Sequence, residues 1–124
     1  PEAQAAADGF VRALVADGNP ELAGTFATGQ ASRNLRLWHD YLLRDGVQTV
    51  EAPGSVRSNC LKPFPVFAPR RQGDCVTYRL VGLKPLPNSE MTVITTARFR
   101  VWLEERDGRW KVAEFDYTPQ LETR

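Results

Sequence analysis

The stretch "MTVITTARFRVWLEERDGRWKVAEFDYT", residues 91–118, decides the fold. From Met91 to Leu103 the odd positions read Met, Val, Thr, Ala, Phe, Val and Leu, and the even positions read Thr, Ile, Thr, Arg, Arg and Trp. This period-two alternation predicts a long antiparallel strand with one buried face. The "DG" dipeptide that follows predicts a hairpin turn, and residues 110–118 are then the returning strand.

The charges of the returning strand indicate a register for this hairpin. A two-residue turn at positions 107–108 would place Glu114 opposite Val101 on the apolar face, where an unpaired carboxylate is costly. A three-residue loop with a glycine bulge shifts the register by one residue and pairs Phe99 with Phe115. The opposite face then carries these cross-strand pairs: Trp102 with Val112, Arg98 with Asp116, and Arg100 with Glu114. We predict this register because every pair in it is compatible.

The N-terminal third of the chain shows helical patterns instead. Alanine, phenylalanine and leucine recur at helical spacing over residues 2–17, which predicts a helix. A short second helix starts after Asn19 as its N-cap, with proline at the first helical position, and a third begins near Ser32. Residues 47–51 and 75–83 are strand-like. The order of elements predicts an α+β fold in which three N-terminal helices pack on an antiparallel sheet.

Both cysteines lie in "SNCLKPFPVFAPRRQGDC", residues 58–75. They are too far apart for a C-x-x-C redox pair, and the lone, distant His39 leaves a zinc site without enough ligands. Two unrelated buried thiols are the alternative, but polar, turn-like neighbours surround both Cys60 and Cys75. We predict a disulfide between these two cysteines. Because disulfides persist in oxidising compartments, we place the chain outside the cytoplasm, secreted or membrane-anchored.

Composition narrows the class of protein. The chain has 124 residues with 42% hydrophobic and 25% charged side chains, which predicts one folded domain over residues 1–124. A formal net charge of +1 gives no basic excess for binding nucleic acid. No apolar run reaches the length of a membrane span, so we expect membrane contact only through an anchor outside this sequence.

The element order resembles the NTF2-like (cystatin-like α+β) superfamily. The segments that carry the likeness are "FVRALVADGNPELAGTFA", residues 10–27, as a helix–turn–helix opening, and "DGRWKV", residues 107–112, as the last hairpin. The resemblance implies that the helices pack in the concave face of a curved sheet and form a cone, often with a pocket. The superfamily includes isomerases, dehydratases and many non-catalytic secreted or membrane-anchored modules, so the fold alone does not decide the function.

The resemblance also implies where a pocket would lie. NTF2-like enzymes use a pocket acid, or a His–Asp pair with a tyrosine, inside the cone. The candidate pocket residues in this sequence are Trp38, His39, Tyr41 and Tyr78. The neighbours His39 and Asp40 point in different directions on a helix and cannot form a dyad with each other. The chain also lacks the common nucleophile, phosphate-loop and metalloprotease motifs. We therefore predict no catalytic residue, no metal and no cofactor.

The outer sheet face offers a second kind of site. In the predicted register Trp102, Trp110 and Val112 lie close together, and exposed they would form an apolar contact surface. The alternative is that the loop between the cysteines covers them through Phe64, Val66 and Phe67.

We expect a non-catalytic extracytoplasmic NTF2-like domain that acts through protein–protein contacts or self-association in an envelope-associated assembly. The alternative is a small-molecule-binding protein, or an enzyme of the isomerase/dehydratase type, with a pocket inside the cone.

Overall fold

The computed structural model describes residues 2–51, 54–63 and 71–121. Its N-terminal part is helical, as predicted. The helical elements are α1 (Glu2–Val11), which continues as a π-helical turn (Arg12–Ala16), α2 (Pro20–Thr25), a 3₁₀ turn (Gly29–Ser32) and α3 (Leu35–Arg44).

Local side-chain chemistry fixes where the second and third helices begin. The Leu22 amide donates to the Asn19 side chain over 3.1 Å, and Pro20 occupies the first helical position, so the predicted cap of α2 is confirmed. Helix α3 begins a few residues later than predicted. Asn34 adopts a left-handed φ of 58° and breaks the chain between the 3₁₀ turn and Leu35.

The rest of the described chain forms a five-stranded antiparallel sheet, so the predicted α+β class is confirmed. The strands are β1 (Val47–Val50), β2 (Arg57–Leu61), β3 (Gln72–Pro85), β4 (Thr92–Arg106) and β5 (Arg109–Leu121). The order is β1-β3-β4-β5, and β2 also pairs with β3. Strands β1 and β2 share one edge of β3: β1 pairs with residues 80–82 and β2 with residues 72–75.

Strand β2 lies in a segment where the sequence indicated only a loop. It pairs with the start of β3, and the disulfide joins these two neighbouring strands. Cys60 and Cys75 are bonded with an S–S distance of 2.06 Å and a Cα–Cα distance of 6.1 Å, which confirms the predicted bridge. The bond therefore links β2 directly to the sheet.

The register predicted for the β4–β5 hairpin is wrong. The turn has two residues, Asp107 and Gly108, both at positive φ (52° and 76°), and Arg106 pairs with Arg109. The extra residue is instead inserted further along, between the pairs Leu103–Val112 and Trp102–Glu114. Beyond this bulge the cross-strand pairs are Val101–Phe115, Arg100–Asp116, Phe99–Tyr117 and Arg98–Thr118.

The bulge explains why the predicted faces of Glu114 and Phe115 nevertheless hold, although the predicted outer position of Val112 is wrong. A two-residue turn alone would have aligned Glu114 with the buried Val101, but the inserted residue, Ala113, restores the alternation. Phe115 then lies on the helix side of the sheet and Glu114 on the other side. A bulge within β5, rather than a bulge at the turn, therefore keeps the Glu114 carboxylate off the apolar face.

The core lies between the helices and the inner face of the sheet, the face that carries Phe99 and Val101. Both side chains are fully buried, as predicted. The Phe10 ring of α1 packs 6.4 Å from the Phe99 ring and 5.8 Å from the Phe115 ring, and Phe99 and Phe115 stack at 5.2 Å. Aromatic rings from α1, β4 and β5 thus fill the space beneath the helices.

Candidate functional site

The four candidate pocket residues do not meet in one pocket. Trp38 and Tyr41, one turn apart on α3, share a shallow surface depression of about 300 Å³. Tyr78 is buried on the inner face of β3. His39 places its ring beside Gly18, at the end of the first helical segment. The structure brings Trp38 and Tyr41 together and leaves His39 and Tyr78 out of their depression.

The Tyr78 hydroxyl is committed to a helix carboxylate. It donates to Asp8 Oδ1 over 2.6 Å, and the Gln4 side-chain amide donates to the same oxygen over 3.0 Å. Burial, followed by the hydrogen bond and the negative charge of Asp8, raises the pKa of Tyr78 far above its ordinary value. The hydroxyl therefore stays protonated and ties α1 to β3.

A second tyrosine makes the same kind of contact. The Tyr117 hydroxyl of β5 donates to Asp45 Oδ2 over 2.5 Å, and Asp45 directly follows α3. Burial and this carboxylate raise the pKa of Tyr117 in the same way. Tyr78 and Tyr117 both lie directly across from Phe99, one on each side. The two hydroxyls thus fasten both ends of the helical layer to one row of the sheet.

The sequence alone did not indicate that Asp8 and Asp45 accept hydrogen bonds from these two tyrosines. Asp8 falls within the helical pattern of residues 2–17, and Asp45 directly follows α3. No local pattern indicates the partner of Asp8, because Tyr78 is a strand residue 70 positions away in the sequence.

The predicted contact surface of Trp102, Trp110 and Val112 is not exposed. Trp102 is 2% exposed and Val112 is fully buried, while Trp110 is partly buried against the core. The Trp102 indole N–H donates to the Cys60 carbonyl over 3.3 Å, so β2 lies against it. Val112 belongs to the inner core, because the two-residue turn places it opposite the inner-face residue Leu103.

Strand β2, which the disulfide joins to β3, lies against Trp102. The residues first expected to do this, Phe64, Val66 and Phe67, lie outside the described residues.

One group of exposed apolar side chains lies at the far end of the β3–β4 hairpin, and another, Leu37, Tyr41 and Leu43, lies on α3. The β1 ladder reaches only Gly82, and the last described pair between β4 and β5 is Thr95–Leu121. Within the described residues, the segment 83–94 therefore has no strand beside it; we call it the hairpin arm. Four of its side chains are exposed, with these fractions: Leu83 62%, Leu86 40%, Met91 67% and Ile94 53%.

The arm carries an apolar pair on each of its faces. Leu83 lies directly opposite Ile94, and the Leu86 amide donates to the Met91 carbonyl over 3.0 Å. Because side chains alternate along a strand, the pairs three residues apart point to opposite sides. The arm is therefore apolar on both sides.

Comparisons with known proteins found no match: no family model, no curated protein and no solved structure matches the chain. Within residues 2–51, 54–63 and 71–121, no group of three or more His, Cys, Asp or Glu side chains is placed to hold a metal ion. Among the helices of these residues, none has the length and apolar character that a membrane crossing requires.

Proposed function

We propose that the chain is a non-catalytic, extracytoplasmic NTF2-like domain that associates with a second copy of itself through the hairpin arm. The observation that carries the proposal is the arm, with Leu83 and Ile94 exposed on one face and Leu86 and Met91 on the other. Contiguous exposed apolar side chains of this kind are typical of contact surfaces.

We infer that the hairpin arm binds the hairpin arm of a second copy of the chain. An isolated two-stranded ribbon is only marginally stable in water, so burial of its apolar pairs stabilises it. Two copies related by a two-fold axis present the same patch to each other, which suits a surface with apolar pairs on both sides. A formal net charge of +1 adds little repulsion between copies.

The disulfide supports the extracytoplasmic part of the proposal. The Cys60–Cys75 bond joins β2 to β3, and such structural bonds persist where the environment is oxidising. The order of elements, three helices followed by an antiparallel sheet with a long final hairpin, supports the NTF2-like part.

The contacts of the inner face favour a binding domain over the enzyme. An isomerase or dehydratase of this architecture needs a polar group that faces an open pocket. Here the Tyr78 and Tyr117 hydroxyls are both engaged by helix carboxylates, and Phe10, Phe99 and Phe115 pack between them.

Sedimentation velocity over a concentration series tests the proposal. We expect the wild type to shift towards a dimer as concentration rises, and Leu83→Gln combined with Ile94→Gln to remain monomeric. The matched control is Leu37→Gln on α3, since Leu37 is 65% exposed, close to the 62% of Leu83, but lies outside the arm. Circular dichroism verifies that each variant is folded.

Two outcomes would overturn the proposal. A wild type that stays monomeric throughout would show that the arm does not self-associate. If the arm variant still dimerises but Leu37→Gln does not, the interface lies at the depression beside Trp38 and not at the arm.

A further inference from the structure

The outer face of the sheet gathers arginines around the disulfide. Arg100 of β4 lies across from Thr77 of β3, and Arg57 of β2 lies across from Cys75, two residues before Thr77. A hollow of about 220 Å³ opens between them. Its lining includes Arg57, Ser58, Asn59, Thr77, Arg100 and the two bonded cysteines. We call it the disulfide hollow.

The hollow has positive charge and no carboxylate in its lining. Among the described residues, Arg57, Arg98 and Arg100 make no ion pair. Asp116 lies across from Arg100 in the ladder, but it does not line the hollow. Burial, followed by the cations of Arg98 and Arg57, lowers the pKa of Arg100, while the charge of Asp116 acts in the opposite direction. Neighbouring arginines therefore destabilise one another's charge here, and a bound anion would relieve that repulsion.

Two contacts hold the Arg100 side chain in place. Its Nε donates to Thr77 Oγ1 over 3.1 Å, and its guanidinium carbon lies 6.0 Å from the centre of the Trp102 ring. Trp102 is in turn fixed by its hydrogen bond to the Cys60 carbonyl. The remaining N–H groups of Arg100 are thereby presented in a fixed orientation, which is the arrangement that binds planar or tetrahedral oxyanions well.

An irregularity of β2 forms the other wall. The ladder between β2 and β3 shifts between Arg57 and Cys60, and Asn59 adopts a positive φ of 62°. Ser58 and Asn59 therefore lie outside the regular pairing and place polar groups at the rim of the hollow. The hollow thus combines two guanidinium groups with neutral hydrogen-bonding side chains.

We propose that the disulfide hollow binds an oxyanion, a sulfate, phosphate or carboxylate group, between Arg57 and Arg100. This chemistry has two sources: a free small anion, or an anionic group carried on a polymer such as a sulfated polysaccharide. The site is separate from the hairpin arm and does not depend on self-association.

Calorimetric titration at constant ionic strength tests the site with sodium sulfate, sodium phosphate and dextran sulfate as probes. We expect saturable binding by at least one probe, because screening by salt alone does not saturate. Arg57→Gln and Arg100→Gln should each weaken this binding about tenfold, the loss expected when a charged hydrogen bond is removed. The Arg100 Nε–H resonance should shift on addition of the bound probe.

The control variant is Arg33→Gln, an exposed arginine of the helical layer that should leave the affinity unchanged. Similar binding of sulfate and dextran sulfate would indicate a free anion as the source, and saturable binding of dextran sulfate alone would indicate a polymer. The proposal is wrong if no probe saturates, or if Arg33→Gln and Arg57→Gln weaken binding equally. Arg57 is exposed, so its variant tests binding without removing a core contact.

Discussion

The inner and outer faces of the sheet are built from the same strands but are stabilised in different ways. The inner face packs aromatic and aliphatic side chains against three helices, and Phe99 and Val101 are fully buried there. The outer face carries Arg98 and Arg100, and its buried ring Trp102 lies against β2, which the disulfide joins to β3. The inner face is stabilised by continuous packing, while on the outer face Trp102 is held by contact with a strand that is covalently attached to β3.

The largest effect on stability is expected when an aromatic ring is removed from the inner face. Phe99→Ala should lower the free energy of unfolding by about 3–5 kcal/mol, because a fully buried ring leaves a cavity among packed neighbours. Its neighbour Arg98→Ala, on the outer face, should change it by no more than about 0.5 kcal/mol. Urea denaturation of both variants gives the two values, and equal losses would contradict the difference between the faces.

The disulfide tests the outer face. Cys60→Ser should lower the free energy of unfolding by about 2–4 kcal/mol, since the unfolded chain gains entropy when the bridge is lost. The reduced wild type should show a similar loss because it lacks the same bond, and Cys75→Ser should lose at least as much because it also buries a hydroxyl. Thiol labelling followed by mass spectrometry of native protein checks the bond itself. Two labelled cysteines, or a reduced wild type as stable as the oxidised one, would refute this role.

Sequence periodicity identified the inner face correctly because its signal is local. Period-two alternation over residues 91–103 states which side chains share a face, and burial of Phe99 and Val101 follows from it. The exact register was not accessible in this way. A bulge in the turn and a bulge at Ala113 both keep Glu114 off the apolar face, and only the three-dimensional packing distinguishes them.

The outer face was harder to predict because its cover comes from elsewhere in the chain. The pattern around Trp102 is the same whether that ring faces solvent or another strand. Strand β2 carries little β-signal of its own, since its sequence, RSNCL, is mostly polar. The bond from Cys60 to Cys75 holds β2 against β3. We predicted this bond from the sequence, but we did not predict strand β2.

The smallest expected effect concerns a polar contact within the inner face. Tyr78→Phe removes the hydroxyl that donates to Asp8 and should lower the free energy of unfolding by about 1–2 kcal/mol. Gln4 still donates to the Asp8 carboxylate, which limits the loss. Tyr41→Phe is the matched control: Tyr41 is 44% exposed, and no hydrogen bond of its hydroxyl is seen in the described part of the chain, so its change should be close to zero.

The pH dependence of stability tests whether burial and Asp8 keep the Tyr78 hydroxyl protonated in the folded chain. The folded-state pKa of Tyr78 is raised above its unfolded value of about 10, so its contribution is fully present below that pH. The contribution is lost as pH rises above about 10, because the unfolded chain then releases the phenolic proton and the folded chain does not. Urea midpoints measured between about pH 8 and pH 11 should therefore fall more steeply for the wild type than for Tyr78→Phe. Tyr117 makes the same kind of contact with Asp45, so the variant should retain part of the decline. Parallel curves for the two proteins would mean that burial and Asp8 do not hold the Tyr78 hydroxyl in its protonated form in the folded chain.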